Sequence, residues 1–327
     1  MDEMLLQSEY KQQIDCEICE EILALKEEKN AIILAHYYQE PIIQELADFV
    51  GDSLELSKKA AKTDSDVIVF AGVDFMAETA KILNPTKKVL IPDLKATCPM
   101  AESCQAENLN QFIEHHPNYY VVSYINSSAE VKAKSDFVCT SSNAVQVIES
   151  VPPDRPILFV PDQNLGEYLI KETGRPMTLW DGACSVHEAF SIEKILNLHK
   201  QYPSAKFIAH PESQRHILKI ASFIGSTSAL INFVKCDDAN DYIVATEVGI
   251  LHQMQKEVPG KNLIPAPTLE DNNCACSECE SMKMNTLWKL YKCLKNESPE
   301  VTVPEETRRK AIQPIQKMLE LSHQHLN

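Results

Sequence analysis

The sequence predicts an α/β protein built from three pseudo-threefold-related αβα sandwich domains, each with a short parallel sheet, arranged around one shared central site. Three observations lead there. Short apolar runs of buried-strand type alternate with helical stretches, the pattern of parallel sheets covered on both faces. The same order of elements occurs three times along the 327 residues. Independent landmarks keep one period: His36, Tyr124 and His210 are 88 and 86 residues apart, and so are Phe49, Phe137 and Phe223. Such a period is too long for a solenoid and suits whole domains closing around an axis.

Residues 5–30 read as an amphipathic helix with a solvated face at Lys26-Glu27-Glu28-Lys29. The first repeat follows, with strands at Ala31–Tyr38, around Phe49–Ser53, at Val67–Ala71 and at Val89–Asp93. Helices are expected between them, one with Pro41 in its first turn and others at Leu54–Lys62 and Met76–Leu83. The second repeat has strands at Tyr120–Asn126, Phe137–Ser141, Ile157–Pro161 and Thr178–Gly182. In the third they are Lys206–Glu212, Phe223–Thr227, Tyr242–Thr246 and Leu263–Ala266. The expected division is 1–97 for the N-terminal helix and first repeat, 98–183 for the second and 184–280 for the third. Residues 281–327 would form C-terminal helices packing back on the repeats, the last opening at Pro304 and kinked or ended near Pro314.

Composition narrows the chemistry. With 31 basic against 47 acidic residues the formal charge is −16, which argues against a nucleic-acid surface or an anionic membrane. Anions must therefore be bound by local donors. The start is acidic and has no long apolar stretch, and no apolar run nears the roughly 18 residues of a membrane span. Eleven scattered cysteines suit a reducing cytoplasm, with some thiols as ligands. Only 8 glycines are present and they build neither a dinucleotide fingerprint nor a phosphate loop.

Each first strand ends in two polar residues two positions apart: His36 and Tyr38, Tyr124 and Asn126, His210 and Glu212. That spacing puts each pair on one strand face, at the carboxyl ends where α/β sheets gather ligands. Any one of these reads most simply as a satisfied structural residue, but six at equivalent positions imply a common cavity. The second strands end in Asp52-Ser53, Thr140-Ser141 and Ser226-Thr227, whose hydroxyls and free N–H groups, besides capping helices, suit carboxylates or phosphates.

Thiols also recur, after the fourth strand of each repeat: Cys98, Cys184 and the cluster Cys274, Cys276 and Cys279. One thiolate per domain meeting on the axis makes a three-cysteine site. On a cubane cluster such a site leaves one iron open, the arrangement of a Lewis acid rather than an electron carrier. Zinc on three cysteines and a water is the alternative, and a non-catalytic iron–sulfur protein, which needs a fourth ligand, is the rival from another class. Cys139 and Cys293 read as buried small hydrophobes.

Ala35-His36-Tyr37-Tyr38-Gln39, the stretch Phe49–Leu56, Tyr124–Ala133, Cys139–Ala144, Ala183-Cys184-Ser185-Val186-His187, His210-Pro211-Glu212 and Met282-Lys283-Met284-Asn285 together closely resemble the quinolinate synthase family, over about residues 30–290. The resemblance implies three αβα domains around a [4Fe-4S] cluster with one cysteine ligand per domain. It implies condensation of iminoaspartate with dihydroxyacetone phosphate, releasing phosphate and water, to give quinolinate for NAD biosynthesis. Transient coupling to an aspartate-oxidising enzyme follows as an expectation, with no nucleic-acid or membrane partner. Carried over, it implies Cys98, Cys184 and Cys279 as ligands, the last because it precedes Met282–Asn285. It implies catalytic roles for Tyr38, Tyr124, His210 and Glu212, with Glu212 as general base. It implies substrate contacts for His36, Ser53, Tyr124, Asn126, Ser141, His210, Glu212 and Thr227. One departure concerns Cys274 and Cys276, which have one residue between them where many members have two. Cys276 and Cys279 keep a spacing able to form a disulfide, which would remove a ligand.

Overall fold

The computed structural model describes residues 2–269 and 277–324, so Cys274 and Cys276 lie outside the described residues. Three four-stranded sheets account for the strands. The first contains β1 (Ala31–His36), β2 (Phe49–Gly51), β3 (Val67–Ala71) and β4 (Lys88–Leu90). The second contains β5 (Tyr120–Tyr124), β6 (Phe137–Cys139), β7 (Ile157–Val160) and β8 (Met177–Leu179). The third contains β9 (Lys206–Ala209), β10 (Phe223–Ile224), β11 (Asp241–Ala245) and β12 (Asn262–Pro265). Every pairing is parallel, and the orders β2-β1-β3-β4, β6-β5-β7-β8 and β10-β9-β11-β12 are one topology repeated. The predicted α/β class and its three parallel sheets are present.

In each sheet the first strand is central, with the second on one side and the third on the other. The chain reverses its direction of progress between the first and third strands, and the crevice at their carboxyl ends is where such folds bind ligands. Registers are equivalent too, since Ala35 pairs with Ala71, Ser123 with Val160 and Ala209 with Ala245. Buried β-branched and aromatic residues explain the inner strands: all five residues of β3 are buried, as are all four of β7, so both faces are covered.

The first strands end earlier than the sequence suggests. Tyr38, Asn126 and Glu212 lie past their strands, in turns. Strand alternation is therefore not what sets them beside His36, Tyr124 and His210. Instead the turn folds back, and in repeats one and three the N–H of the second residue donates to the first residue's imidazole: Tyr38 N to His36 Nδ1 at 3.2 Å and Glu212 N to His210 Nδ1 at 3.4 Å.

Helix Leu287–Asn296 seats Leu290, Tyr291 and Leu294 with Ile22 of the N-terminal helix and Ile33 and Val69 of the first sheet. Helix Glu305–Gln324 continues through Pro314 rather than ending there, and buries Ala311, Ile315 and Met318 in the core shared by the first two repeats. Its Ser322 reaches the central site indirectly. Asn143 donates to Ser322 Oγ at 2.9 Å, while its Oδ1 accepts from the N–H of Thr140 at 2.7 Å and the hydroxyl at 3.2 Å. Replacing Asn143 by Ala strands a buried N–H. The expected loss is about 2 kcal/mol in urea denaturation, against about 1 kcal/mol for Ser322→Ala, which breaks one bond. Equal, negligible losses would show that the helix does not brace this turn.

Candidate active site

Except for Ser226, and for Cys274 and Cys276, which lie outside the described residues, the residues singled out at strand ends and thiol loops line one cavity between the three sheets. Cys98, Cys184 and Cys279 share it with Val73, Phe75, Met76, Met100, Val186 and Met282, and with His36, Tyr38, Ser53, Tyr124, Asn126, Ser141, His210, Glu212 and Thr227. Asp52, Thr140 and His187 complete the lining.

The thiols are placed by equivalent local structures. Each cysteine is the N-cap of a short helix: Cys98 of Pro99–Ser103, Cys184 of Ser185–Glu188, Cys279 of Glu280–Lys283. The loop before each is held by one main-chain bond from just past the third strand to the carbonyl two residues before the cysteine. Asp74 N donates to Ala96 O at 2.8 Å, Gln163 N to Gly182 O at 2.7 Å and Val248 N to Ser277 O at 3.1 Å. At Gly182 the fit leaves no room, since a Cβ would stand 2.5 Å from Pro161 O and 2.3 Å from Ser103 Oγ.

Burial raises all three thiols, Cys98 to about 12 and Cys184 well above its ordinary value. Each is drawn back somewhat by the N–H three residues on, from Ala101, His187 and Met282, which lies near enough to favour thiolate without closing a cap hydrogen bond. Buried thiols of this kind become ligands when a metal displaces their protons.

Does this donor set fit a cluster? Three thiolates on one zinc ion, with Zn–S near 2.3 Å, would lie about 4 Å apart. Among the described residues the one trio of donor atoms mutually within 4.8 Å is Cys184, His187 and Glu212. The three cysteines are farther apart than one ion requires, yet near enough that Cys98 and Cys279 each act on Cys184. Soft ligands spread around an apolar pocket fit a polynuclear cluster, whose thiolates sit on separate irons.

Facing the thiols is a polar wall. Glu212, buried, accepts from the Tyr124 hydroxyl at 2.5 Å and stands 3.0 Å from His187 Nδ1, a contact bent out of hydrogen-bond alignment. Burial works to raise its carboxyl, but His210, His187 and Tyr124 outweigh it and hold Glu212 below the usual carboxylate range. His36 and His210 are lowered to about 3, chiefly by burial, so both are neutral near pH 7. The Tyr124 hydroxyl and His187 stand against the two oxygens of Glu212, one on each. Because both imidazoles accept at Nδ1, each carries its proton on Nε2, and His210 Nε2 lies 3.3 Å from Ser141 Oγ. Burial and then Glu212 push Tyr38 and Tyr124 well above the ordinary phenol value. Both phenols are therefore donors at neutral pH.

The side chains at the second-strand ends divide between capping and the cavity. Asp52 caps helix Ser53–Lys62 through Leu54 N and Glu55 N, and Ser226 caps Thr227–Cys236 through Ala229 N. Ser53 and Thr227 are the residues after these caps, which leaves their hydroxyls to the cavity. Asp52 also accepts from Ser142 at 2.9 Å and Ser228 at 2.8 Å, joining the three repeats opposite the thiols. Asn126 Oδ1 is buried without a partner, an open acceptor in the wall.

Three residues escaped the sequence reading. His187 stacks on His210 with ring centroids 4.9 Å apart, and Thr246 Oγ1 bonds both His187 Nε2 at 3.0 Å and the Tyr38 hydroxyl at 2.8 Å. Glu247 is fully buried, and burial, partly offset by Lys283, raises it to about 7. The signal for His187 was its place three residues after Cys184; for Thr246 and Glu247 it was the end of the third strand, left out when first and second strands were aligned.

The family model described as quinolinate synthetase A protein matches residues 20–320. Among curated proteins the chain is similar to quinolinate synthase of Trichodesmium erythraeum, 57% identical over 306 residues, covering 94% of each chain. It is also 57% identical over 298 residues to that of Gloeothece citriformis, covering 91% of this chain and 92% of the relative. To that of Trichormus variabilis it is 56% identical over 300 residues, covering 92% of each.

The lowered histidines set an acid limit. Unfolded, each imidazole binds its proton near pH 6.5, and folded only near 3. The unfolded state therefore holds more protons in that window, and stability falls as pH drops through it, by up to ~1.4 kcal/mol per pH unit for each histidine. Urea denaturation at about pH 6.5 and about pH 5 should show a smaller loss for His36→Gln than for the parent; equal slopes would refute a neutral buried His36.

Proposed function

The chain belongs to the quinolinate synthetase A family, a family of enzymes, and from that premise we propose that it condenses iminoaspartate with dihydroxyacetone phosphate. The products are quinolinate, phosphate and water, serving de novo NAD biosynthesis in the cytoplasm. The observation that carries this reading is a single cavity in which three equivalently built, helix-capping cysteines face an ionised carboxylate and a ring of neutral donors. Among the described residues no helix is long and apolar enough to cross a membrane.

Cys98, Cys184 and Cys279 would hold a [4Fe-4S] cluster. Bound by three thiolates, it supplies a Lewis-acidic iron with an open position, suited to dehydration. The chain's own residues do the rest. Glu212 takes the proton from carbon as general base, because it is held ionised and receives the Tyr124 hydroxyl on one oxygen. Tyr38, protonated and oriented by Thr246, donates a proton to oxygen or nitrogen as charge develops there. His210, whose Nε2–H faces Ser141, moves protons between substrate atoms during isomerisation and ring closure. His36, Ser53, Asn126, Ser141 and Thr227 bind the carboxylate and phosphate groups. Burial excludes water, which protects an imine from hydrolysis. The same sensitivity favours direct delivery of iminoaspartate by the enzyme that oxidises aspartate.

A second reading has one observation in its favour. Cys184, His187 and Glu212 stand within 4.8 Å of one another, a ligand set for a single zinc ion. It would consume the proposed base. Metal and sulfide analysis after anaerobic purification separates the two: iron with matching acid-labile sulfide supports the cluster, zinc without sulfide supports the trio.

Glu212→Gln should bind the cluster with unchanged visible absorption and lose quinolinate formation by roughly 10²- to 10⁴-fold, measured anaerobically with both substrates. Normal product from that variant would remove Glu212 from the mechanism.

A further inference from the structure

The three thiol loops hang from their third strands by the same main-chain bond, yet the residue before that bond differs in each repeat. It is Val73 in the first, Asp162 in the second and Glu247 in the third. Val73 is apolar and buried, with no need of a partner. Asp162 uses Oδ1 to cap the next helix at Leu165 N, 3.0 Å away. Glu247 turns to the cysteine. Its Oε1 accepts from Cys279 N at 3.3 Å and lies 3.3 Å from Lys283 Nζ, while Oε2 accepts from Gly249 N at 2.6 Å. Lys283 in turn donates to the carbonyl of Tyr38 at 2.9 Å. A chain of three contacts thus runs from the main chain of the third thiol to the main chain of the phenol on the opposite wall. Glu247 is fully buried and Lys283 nearly so, so the pair is little screened by solvent.

We propose that Glu247, acting with Lys283, is a positioning residue: it fixes the main chain of Cys279 against the cavity and sets it at a constant distance from Tyr38. Neither side chain lines the cavity, so the effect passes through Cys279 and Tyr38. The other two thiols have no counterpart at this position. Loss of Glu247 should therefore be felt at one cysteine of the three. The inference rests on the reading of Cys279 as a cluster ligand, and its first test does not require a cluster.

The full-length chain, prepared anaerobically without cluster, is treated with limiting iodoacetamide at one pH, and alkylation is followed at each cysteine by peptide mass spectrometry. Glu247→Ala should alkylate Cys279 about tenfold faster, with Cys98 and Cys184 unchanged. Glu247→Gln, which keeps an acceptor for Cys279 N, should stay within about twofold of the parent. Should Glu247→Ala fail to fold, Glu247→Asp decides: it keeps the charge beside Lys283 but is one methylene too short to span both N–H groups, and should show the same selectivity. A rise shared by all three cysteines, or none at Cys279, overturns the proposal. After anaerobic reconstitution, iron loss to a chelator, read by visible absorbance, should be several-fold faster in Glu247→Ala and near parental in Glu247→Gln. Selective alkylation in a chain that binds no iron in any form would uphold the positioning role and overturn the cluster reading.

Discussion

Everything in the cavity is referred to one bond made three times, from the N–H just past a third strand to the carbonyl two residues before a cysteine. Its donors lie three residues past the ends of equivalent strands in three separate sheets, so the ends of the sheets hold the thiols. The loops need no mutual contact to be aligned. A main-chain bond is also indifferent to side chain, which is why Asp74, Gln163 and Val248 can all make it. Three thiols brought together in this way come from residues far apart in sequence. The closeness of the fit is visible at Gly182, where even a methyl group would collide with the carbonyl of Pro161.

Much of this was legible in the sequence, because the repeat is a matter of counting. Intervals of 88 and 86 placed six polar residues and the hydroxyls in one cavity, and Cys98 to Cys184 repeats the interval of 86. Cys184 to Cys279 is 95, so counting alone could not choose among the three late thiols; the resemblance did, and the bond from Val248 to Ser277 gives Cys279 a place equivalent to the other two. What stayed hidden depends on tertiary partners. Nothing in the sequence ties Asn143, at the start of helix Ala144–Ser150, to Ser322, 179 positions away, which it reaches in the fold. Tyr38 and Glu212 were found by a strand-alternation argument, although the real cause is a turn that returns an N–H to an imidazole.

That turn also explains the division of labour between acid and base. An imidazole that accepts at Nδ1 and is buried stays neutral and presents an N–H at Nε2, so His36 and His210 donate without adding charge. A carboxylate beside them survives burial because Tyr124 and His187 serve it. Had the histidines been charged, Glu212 would form tight ion pairs and make a poor base. The environments drive neighbouring groups apart in proton affinity, which is how acid and base roles are assigned within one small volume.

On the proposed function, a chain of charge −16 has to keep its own field away from anionic substrates, and the geometry does this by spending its acidic groups. Asp52 has four donors, two N–H groups of its helix and the hydroxyls of Ser142 and Ser228. Glu247 is paired with Lys283. Apart from Glu212, what remains open toward the cavity is neutral: hydroxyls, imidazole N–H groups and the amide of Asn126. Neutral donors attract an anion less strongly at long range than a lysine would, but among buried residues each is worth far more than on a surface. Unlike a lysine or an arginine, they carry no charge of their own to hold back the phosphate that the proposed reaction releases.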